Sequence, residues 1–426
     1  MDRIRFFFAP AIAALLFFSG AGGRAFALDF PPKGVELNGF LQGNYSLDTA
    51  RRNPDGGSFK LAEERVQLKL DADKDPFRVF LKGDFFHDWI DSRKFDSELR
   101  EGYAEYTSGK WDARLGRQII TWGVGDLIFI NDVFPKDYAA FFSGRPLEYL
   151  KKGVDGVKFG IYPGFASFEV VAIPFFTPNV YPSPQKFWMF DPMPQIAGRP
   201  KEEPATSLRN TEAALRAYRE VAGFDTSVYF YRGFFRQPSA IPDNPLAPSR
   251  LDLIFPRLSV YGASAQGRAF FDGVLSLEAG YYDSRDDESG TNPFIPNSQT
   301  RFLIGYQRQL GEDLTASVQY YAEYMHNYSR YVSTLPAGLP KARRLYELTS
   351  LRLTQLLRHQ TLRLSWFMFY SPSEGDFMLN PEVKYSFTDN IWAALGANVF
   401  GGGHEYTQFG QFGRDDNTYV QMRYEF

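Results

Sequence analysis

Charged side chains recur at alternate positions along the chain, and these residues are the best candidates for chemistry. In one segment Arg65 and Lys69 alternate with Val66, Leu68 and Leu70. Because successive side chains of a β-strand point to opposite faces, the charges of such a segment share one face. Basic and acidic groups facing each other across a wet passage would create a field that orients polar solutes and discriminates between ions. An ion pair that only stiffens the wall is the plainer alternative for any single residue.

The alternation predicts a set of lumen-lining residues: Arg65, Lys69, Lys82, Asp84, Glu101, Glu105, Arg114, Arg216, Glu278, Glu323, Arg363, Glu382, Lys384 and Arg423. Both signs are present in nearly balanced numbers. The set therefore does not indicate whether anions or cations are preferred.

Hydrolytic chemistry has little support in the sequence. The histidines are His87, His326, His359 and His404, and only His326, near Ser329, suggests a base beside a nucleophile. No cysteine is present, which excludes disulfides, thiolate metal sites and covalent haem attachment. We expect no catalytic residues, no cofactor and no bound metal. An outer-membrane hydrolase is kept as a less favoured alternative.

The elements that must position the charged residues are strands. Period-2 alternation runs from about residue 35 to the end, most clearly in 274–282, 314–325 and 361–370. Charges keep to one face, as a lipid-exposed opposite face demands, since a Lys or Arg at the bilayer midplane costs about 2–4 kcal/mol. Short turns alternate with long Pro- or Gly-rich loops, except at 371–375. This rhythm predicts an all-β fold: a transmembrane, antiparallel up-and-down β-barrel of about 18 strands, with 16 as the alternative, long extracellular loops and short periplasmic turns.

The two ends of the sequence agree with this prediction. A basic start, an apolar run and the small residues Ala25 and Ala27 predict a signal peptide over residues 1–27, which leaves 28–426 as a single barrel domain. The last segment alternates and ends at Phe426, which resembles the membrane-insertion signal of outer-membrane barrels. The expected location is the cell outer membrane.

Composition separates the remaining classes. The net charge of −3 and pI near 5.9 give no reason to expect a nucleic-acid partner. Aromatic residues make up 17% of the chain, yet mean hydropathy is only −0.33. One lipid-facing side and one wet side average to this mixture, whereas a soluble sandwich or propeller does not account for the loop rhythm.

One long loop, predicted over residues 123–152, is unusually apolar. It also contains four charged candidates for a constriction: Asp126, Asp132, Lys136 and Asp137. We expect this loop to fold into the barrel mouth and narrow the passage, or else to form an external cap. Trp122, just before it, is expected where an aromatic interface girdle ends.

Several segments resemble the outer-membrane porin superfamily that includes alginate-export-type and related porin-like proteins. They are residues 116–123, 131–137, 210–216 and 277–282. The resemblance implies a channel for uptake or export of a hydrophilic solute, charged or saccharide. Expected partners are outer-membrane lipid and lipopolysaccharide, the barrel-assembly machinery and the solute. The alternative is a sheath or docking barrel for a periplasmic or haem-protein partner, as in a cytochrome conduit or a polysaccharide export complex.

Overall fold

The computed structural model describes residues 34–50, 57–90, 95–184, 186–245 and 247–426. The predicted signal peptide lies outside these residues. The strands are β1 Val35–Asp48, β2 Phe59–Lys74, β3 Phe77–Asp88, β4 Phe95–Ser108, β5 Trp111–Gln118, β6 Val154–Ile161, β7 Ser167–Ile173, β8 Lys201–Glu202, β9 Glu212–Val221, β10 Phe224–Phe234, β11 Ser239–Pro242, β12 Leu251–Ile254, β13 Arg257–Arg268, β14 Val274–Ser284, β15 Gln299–Gln309, β16 Leu314–Met325, β17 Leu345–Leu357, β18 Leu362–Ser371, β19 Asp376–Ser386, β20 Ile391–Gly402 and β21 Asn417–Glu425.

Eighteen of these strands form one closed antiparallel barrel, which confirms the predicted fold class and strand number. Each pairs with the strands before and after it in the barrel, and β21 closes the cylinder against β1, with Phe40 opposite Glu425. The strands β8, β11 and β12 form a separate small sheet, which the sequence did not predict.

The two ends of the barrel differ in their connections. At one end, here called the turn rim, hairpins are tight: Ala222 and Gly223 have φ values of 52° and 79° and join β9 to β10. A two-residue turn with positive φ at both positions matches the twist of the flanking strands. The other end, the loop rim, has the long segments 119–153, 285–298, 326–344 and 403–416. The segment between β18 and β19 is short, as predicted.

The barrel wall has an apolar outer face and a polar inner face. On β3 the large side chains of Phe77, Leu81 and Phe85 are exposed, while on β2 the side chains of Arg65 and Gln67 are buried inside. An apolar belt facing outward is what hydrocarbon requires of a spanning barrel.

Two irregularities change which residues face the lumen. Between β3 and β4 the register shifts, so that Lys82 pairs with Glu101 but Gly83 pairs with Leu99. Arg100 is the extra residue of this bulge, and both Arg100 and Glu101 contact groups inside the barrel.

The second irregularity is Pro381, in the middle of β19. Its pairing with β18 is complete, but the β20 register skips Asn380 and Pro381. Proline has no N–H to donate. The side-chain amide of Asn380 donates to the Ala397 carbonyl opposite at 3.0 Å and replaces the missing donor.

Helical segments are short and lie in the loops. They are α1 Tyr138–Phe142, α2 Tyr328–Thr334 and the 3₁₀ turns Leu147–Leu150, Leu208–Asn210, Phe270–Asp272 and Gly410–Phe412. Within the described ranges, no helix combines the length and apolar character needed to cross a membrane.

Candidate functional site: a loop across the lumen

The segment 119–153, here called the lumen loop, lies inside the barrel. Its side chains Ile128, Ile130, Phe134 and Phe142 are almost fully buried and belong to one apolar cluster. The rest of that cluster includes inward-facing residues of the loop-rim half of the wall: Leu258, Val260, Leu303, Leu348, Phe367, Phe369 and Phe400. An apolar loop that would be costly in open water is stable here because the wall buries it.

Trp122 lies in the lumen and not at a membrane interface. Its side chain is 4% exposed, packs against Phe134 and Tyr229, and donates through Nε1 to Glu169 at 3.1 Å. The expectation of an interface girdle at this residue was therefore wrong.

Glu278 of β14 holds the first part of the lumen loop. Its carboxylate accepts hydrogen bonds from the backbone N–H groups of Val124, Gly125 and Asn131, at 2.9, 3.1 and 2.7 Å, and from Asn131 Nδ2 at 3.0 Å. The side chain is 2% exposed. Within the described residues no basic side chain forms an ion pair with it, so loop N–H groups stabilise its charge.

The neighbouring strands β16 and β17 hold the same stretch. Gln319 accepts from the backbone N–H of Asp126 at 2.7 Å and donates to its carbonyl at 2.8 Å. The Asp126 carboxylate also receives two hydrogen bonds from Arg352, at 2.6 and 3.0 Å. This bidentate pair joins the loop to the wall beside an open space.

The second part of the lumen loop is held on another sector of the wall. The Phe142 carbonyl accepts from Asn398 of β20 at 3.1 Å, and the Gly144 carbonyl accepts from Asn44 of β1 at 3.3 Å and from Gln421 of β21. Amide side chains facing the lumen therefore satisfy loop carbonyls that accept no backbone hydrogen bond among the described residues.

Charged pairs complete this second attachment. Arg145 donates to Glu63 of β2 at 2.6 Å. Glu148 accepts from Arg423 of β21 at 2.7 Å and lies 3.8 Å from Lys82. Burial alone would raise the pKa of Glu148, but these cations hold it below its ordinary value.

Tyr149 packs between two guanidinium groups. Arg65 lies 4.6 Å and Arg100 lies 4.2 Å from the centre of its ring. Arg100 also donates to the carbonyls of Glu148 and Lys151, at 2.8 and 3.2 Å. The lumen loop thus leaves β5 and contacts the wall at β14, β16 and β17. It contacts the wall again at β20, β21, β1 and β2, and then returns to β6.

Two of the spaces that this path leaves are connected. The central cavity, of about 620 Å³, is lined by Lys82, Glu101, Asp126, Leu127, Phe129 and Glu148, among others. The second space, here called the basic chamber, has about 330 Å³ and follows β17–β21 toward the turn rim. Leu147 and Glu148 line both spaces. The ion pair of Asp126 and Arg352 also lies between them.

The basic chamber is lined by more basic than acidic side chains, although Arg145 and Arg352 are paired with Glu63 and Asp126 at its border. Its charged lining residues are Arg145, Arg352, Arg363, Lys384 and Arg423, against Glu148 and Glu382. Arg363 pairs with Glu382 at 2.8 Å. Lys384 has no carboxylate at ion-pair distance among the described residues and lies 3.8 Å from the centre of the Trp392 ring.

The four constriction candidates have different positions. Asp126 lines the central cavity. Asp132 and Lys136 form a buried ion pair at 2.8 Å within the loop, and burial lowers the pKa of Lys136. Asp137 caps α1 through its bond to Ala140 N–H. The structure therefore brings one of the four to the passage.

The predicted lining residues lie on the inner face. Several are paired within the wall, as in Arg65 with Asp84, Arg114 with Glu105 at 2.9 Å, and Glu323 with Arg301 at 3.1 Å. Arg216 bonds Ser227 at 3.2 Å, Glu101 accepts from the N–H of Ile119 at 3.2 Å, and Lys69 lies over the ring of Phe80. Glu382, Lys384 and Arg423 meet in the basic chamber.

Sequence reasoning missed Arg100, Arg145, Glu148 and Arg352. Arg352 shares a strand face with Ser350 and Thr354, a signal that was available. The bulge shifts the alternation at Arg100. Arg145 and Glu148 lie in the lumen loop, where side chains do not alternate between two faces.

His326, the one histidine with a serine nearby in sequence, bonds Thr300 at 2.9 Å and packs against Tyr281 and Tyr324. In the part of the chain that the structure describes, His326 makes no hydrogen bond to Ser329. Nor does any group of three or more His, Asp or Glu side chains there have the arrangement of a metal site.

Solved structures with the same architecture come from outer-membrane channels. OccK11 (OpdR) of Pseudomonas aeruginosa aligns with a TM-score of 0.57 at 10% identity, over 92% of this chain and 95% of that one. The fold is that of an outer-membrane porin. OccAB3 of Acinetobacter baumannii aligns with a TM-score of 0.56 at 9% identity, over 92% and 99%. OccK2 (OpdF) of P. aeruginosa, in complex with glucuronate, gives 0.56 at 8% identity, over 92% and 97%.

No protein family and no curated protein matched the sequence. The structural likeness therefore concerns the fold. A closed barrel of this porin type, with its apolar outer belt, places the chain in the outer membrane.

Proposed function

We propose that this protein is a channel for small hydrophilic solutes and that it prefers anions. The observation that carries the proposal is Lys384 of the basic chamber, which has no carboxylate partner at ion-pair distance among the described residues. The other four basic lining residues each pair with a carboxylate: Arg145 with Glu63, Arg352 with Asp126, Arg363 with Glu382 and Arg423 with Glu148. A narrow, polar space of one dominant sign raises the local concentration of the opposite ion. Passage is passive, so the solute gradient sets its direction.

The chemistry of the chamber suits carboxylate-bearing solutes. Guanidinium groups bind a carboxylate with two parallel hydrogen bonds, and Lys384 offers a charge that no carboxylate of the described chain neutralises. The glucuronate bound to OccK2 is an anionic sugar of this kind. The resemblance of residues 116–123 and 131–137 to alginate-export-type porins supports the same class of acidic saccharides.

The alternative of a sheath around another protein is less well supported. A sheath needs an open lumen, whereas here the lumen loop crosses the barrel and shares an apolar cluster with its wall. A partner protein could enter only if about two dozen buried apolar side chains separated from each other, a cost far beyond that of displacing water. A channel requires no such rearrangement.

The direct test is the reversal potential of the refolded protein in a planar bilayer with a KCl gradient. We expect chloride preference, and we expect Lys384→Gln to reduce it. The matched control is Lys341→Gln, because Lys341 is exposed on the segment 326–344 and lines neither space. Cation preference in the wild type, or equal effects of the two variants, would contradict the proposed anion selectivity. Absence of conductance from folded protein would contradict the channel itself.

A further inference from the structure

Another cavity lies at the loop rim, apart from the basic chamber. It has about 200 Å³ and is here called the loop-rim cavity. The lumen loop contributes Phe129, Asp132, Val133, Phe134, Lys136 and Tyr138. The remaining lining residues come from the segment after β7, the end of β10 and the loop-rim ends of β13–β15: Asn179, Tyr181, Phe234, Phe235, Arg236, Gln237, Leu258, Tyr282 and Arg301. Gln237 is exposed, so the cavity is open to solvent at this residue.

The ionic groups of this cavity are already neutralised one by one. Lys136 pairs with Asp132 at 2.8 Å, Arg236 pairs with Glu212 at 2.6 Å, and Arg301 pairs with Glu323 at 3.1 Å. Unlike the basic chamber, it offers no excess charge of either sign. A charged ligand would have to break one of these pairs, and two of them are buried, where the loss of one partner is costly.

The polar groups left available are neutral donors and acceptors. The Tyr138 hydroxyl makes no hydrogen bond within the described residues. The Tyr181 hydroxyl donates to Gln237 Oε1 at 3.2 Å, which leaves the Gln237 amide N–H₂ without a partner among the described residues. A hydroxyl-rich ligand could bond to both of these groups.

Aromatic rings make up much of the wall. Tyr138 and Tyr181 stack with ring centres 5.5 Å apart and planes 20° apart, and Phe129 and Tyr282 lie nearby in the lining. Aromatic carbon gives an apolar surface suited to the C–H faces of a sugar ring, while the hydroxyls and amide suit its O–H groups.

The volume limits the ligand to one ring. An apolar cavity of about 150 Å³ holds one benzene molecule. At about 200 Å³ the loop-rim cavity has room for a six-membered ring with its substituents, but a second ring would have to project past Gln237.

We infer that the loop-rim cavity is a binding site for a neutral, hydroxyl-rich ring of monosaccharide size. This inference does not depend on the anion selectivity proposed for the basic chamber or on conduction, because the two spaces share no lining residue. At the loop rim, such a site would hold a sugar, or the terminal sugar of a longer chain, above the lumen loop.

The test is saturation-transfer difference NMR of the refolded protein in detergent, with D-glucose as the probe and D-glucuronate and inorganic phosphate as charged comparisons. We expect saturable glucose binding that exceeds glucuronate binding. The double variant Tyr138→Phe and Gln237→Ala removes two hydrogen-bonding groups and should weaken glucose binding about tenfold or more. Lys384→Gln, in the basic chamber, should leave it unchanged.

Three outcomes would overturn the inference. One is no saturable glucose binding by protein shown to be folded by its heat-modifiable mobility. Another is glucose binding that survives the double variant. The third is glucose binding that Lys384→Gln abolishes, which would place the sugar in the basic chamber. Since the reversal potential tests only the chamber, failure of this site and failure of the channel proposal can be told apart.

Discussion

Removal of the Glu278 carboxylate should release the first part of the lumen loop from the wall. Four hydrogen bonds from Val124, Gly125 and Asn131 end on this one carboxylate, which is 2% exposed. Hydrogen bonds to a charged group contribute about 1.5–3 kcal/mol each. In Glu278→Ala, water entering the vacated space should replace about half of them, so we expect a loss of about 3–6 kcal/mol in loop attachment.

That loss should raise the population of the displaced loop by about 10²- to 10⁴-fold. Glu278→Gln should have about half the effect in free energy, because its amide oxygen still accepts two of the bonds while its N–H₂ faces the other donors. The measurements are single-channel conductance, open-channel noise and chymotrypsin cleavage after Leu127 and Phe129. We expect all three to increase, in the order wild type, Gln variant, Ala variant.

The control is Glu105→Ala, which removes an inward carboxylate that bonds Arg114 of the neighbouring strand and not the lumen loop. If Glu278→Ala matches the wild type in conductance, noise and cleavage, Glu278 does not hold the loop. If Glu105→Ala has the same effect as Glu278→Ala, the change reflects general loss of wall charge and not loop release.

Three further predictions concern other parts of the barrel. Arg352→Ala leaves Asp126 unpaired beside the chamber. The partly exposed ion pair contributes under about 1 kcal/mol to stability, so the variant should still fold. Its reversal potential should shift toward cation preference, and an unshifted potential would contradict this prediction. Burial raises the pKa of Asp415 to about 6, from 3.8 in the unfolded chain. The native state therefore binds more protons than the unfolded state between these two pKa values, and the free energy of unfolding falls as pH rises through that range. Asp415→Asn should therefore flatten the pH dependence of the free energy of unfolding in urea between about pH 4 and 7, and equal pH slopes for the variant and the wild type would refute it. Asn380→Ala leaves the Ala397 carbonyl of β20 without a donor and should lower the free energy of unfolding by about 1–3 kcal/mol. Adding Pro381→Ala restores a backbone N–H and should recover most of that loss. If the two substitutions instead lower stability additively, the Asn380 amide does not replace the missing backbone donor.

Most of the fold could be predicted from the alternating pattern of the strands. Alternation such as Leu275, Leu277 and Ala279 against Ser276 and Glu278 predicted the strand faces, because a barrel in lipid imposes opposite polarity on successive residues. The Ala222–Gly223 turn was similarly visible, since local φ preferences decide it.

The site was only partly predictable, because loop attachment depends on contacts between residues far apart in sequence. Glu278 was expected to line the lumen, but nothing near it in sequence indicates that it binds Val124 and Asn131. Likewise the pairing of Arg145 with Glu63 joins residues 82 positions apart. The small sheet of β8, β11 and β12 escaped prediction because its strands are only two to four residues long.

Conductance and selectivity should be separable in this barrel. The lumen loop is held mainly by its own backbone groups, which bond Glu278, Gln319 and Asn398, while most charge of the basic chamber comes from strand residues such as Arg363 and Lys384. A change at Glu278 moves the loop but leaves the chamber charges in place. A change at Lys384 alters the chamber charge but breaks no bond to the loop. The width of the passage and its preference for anions thus depend on different residues, and a variant that changes one without the other is the outcome this arrangement predicts.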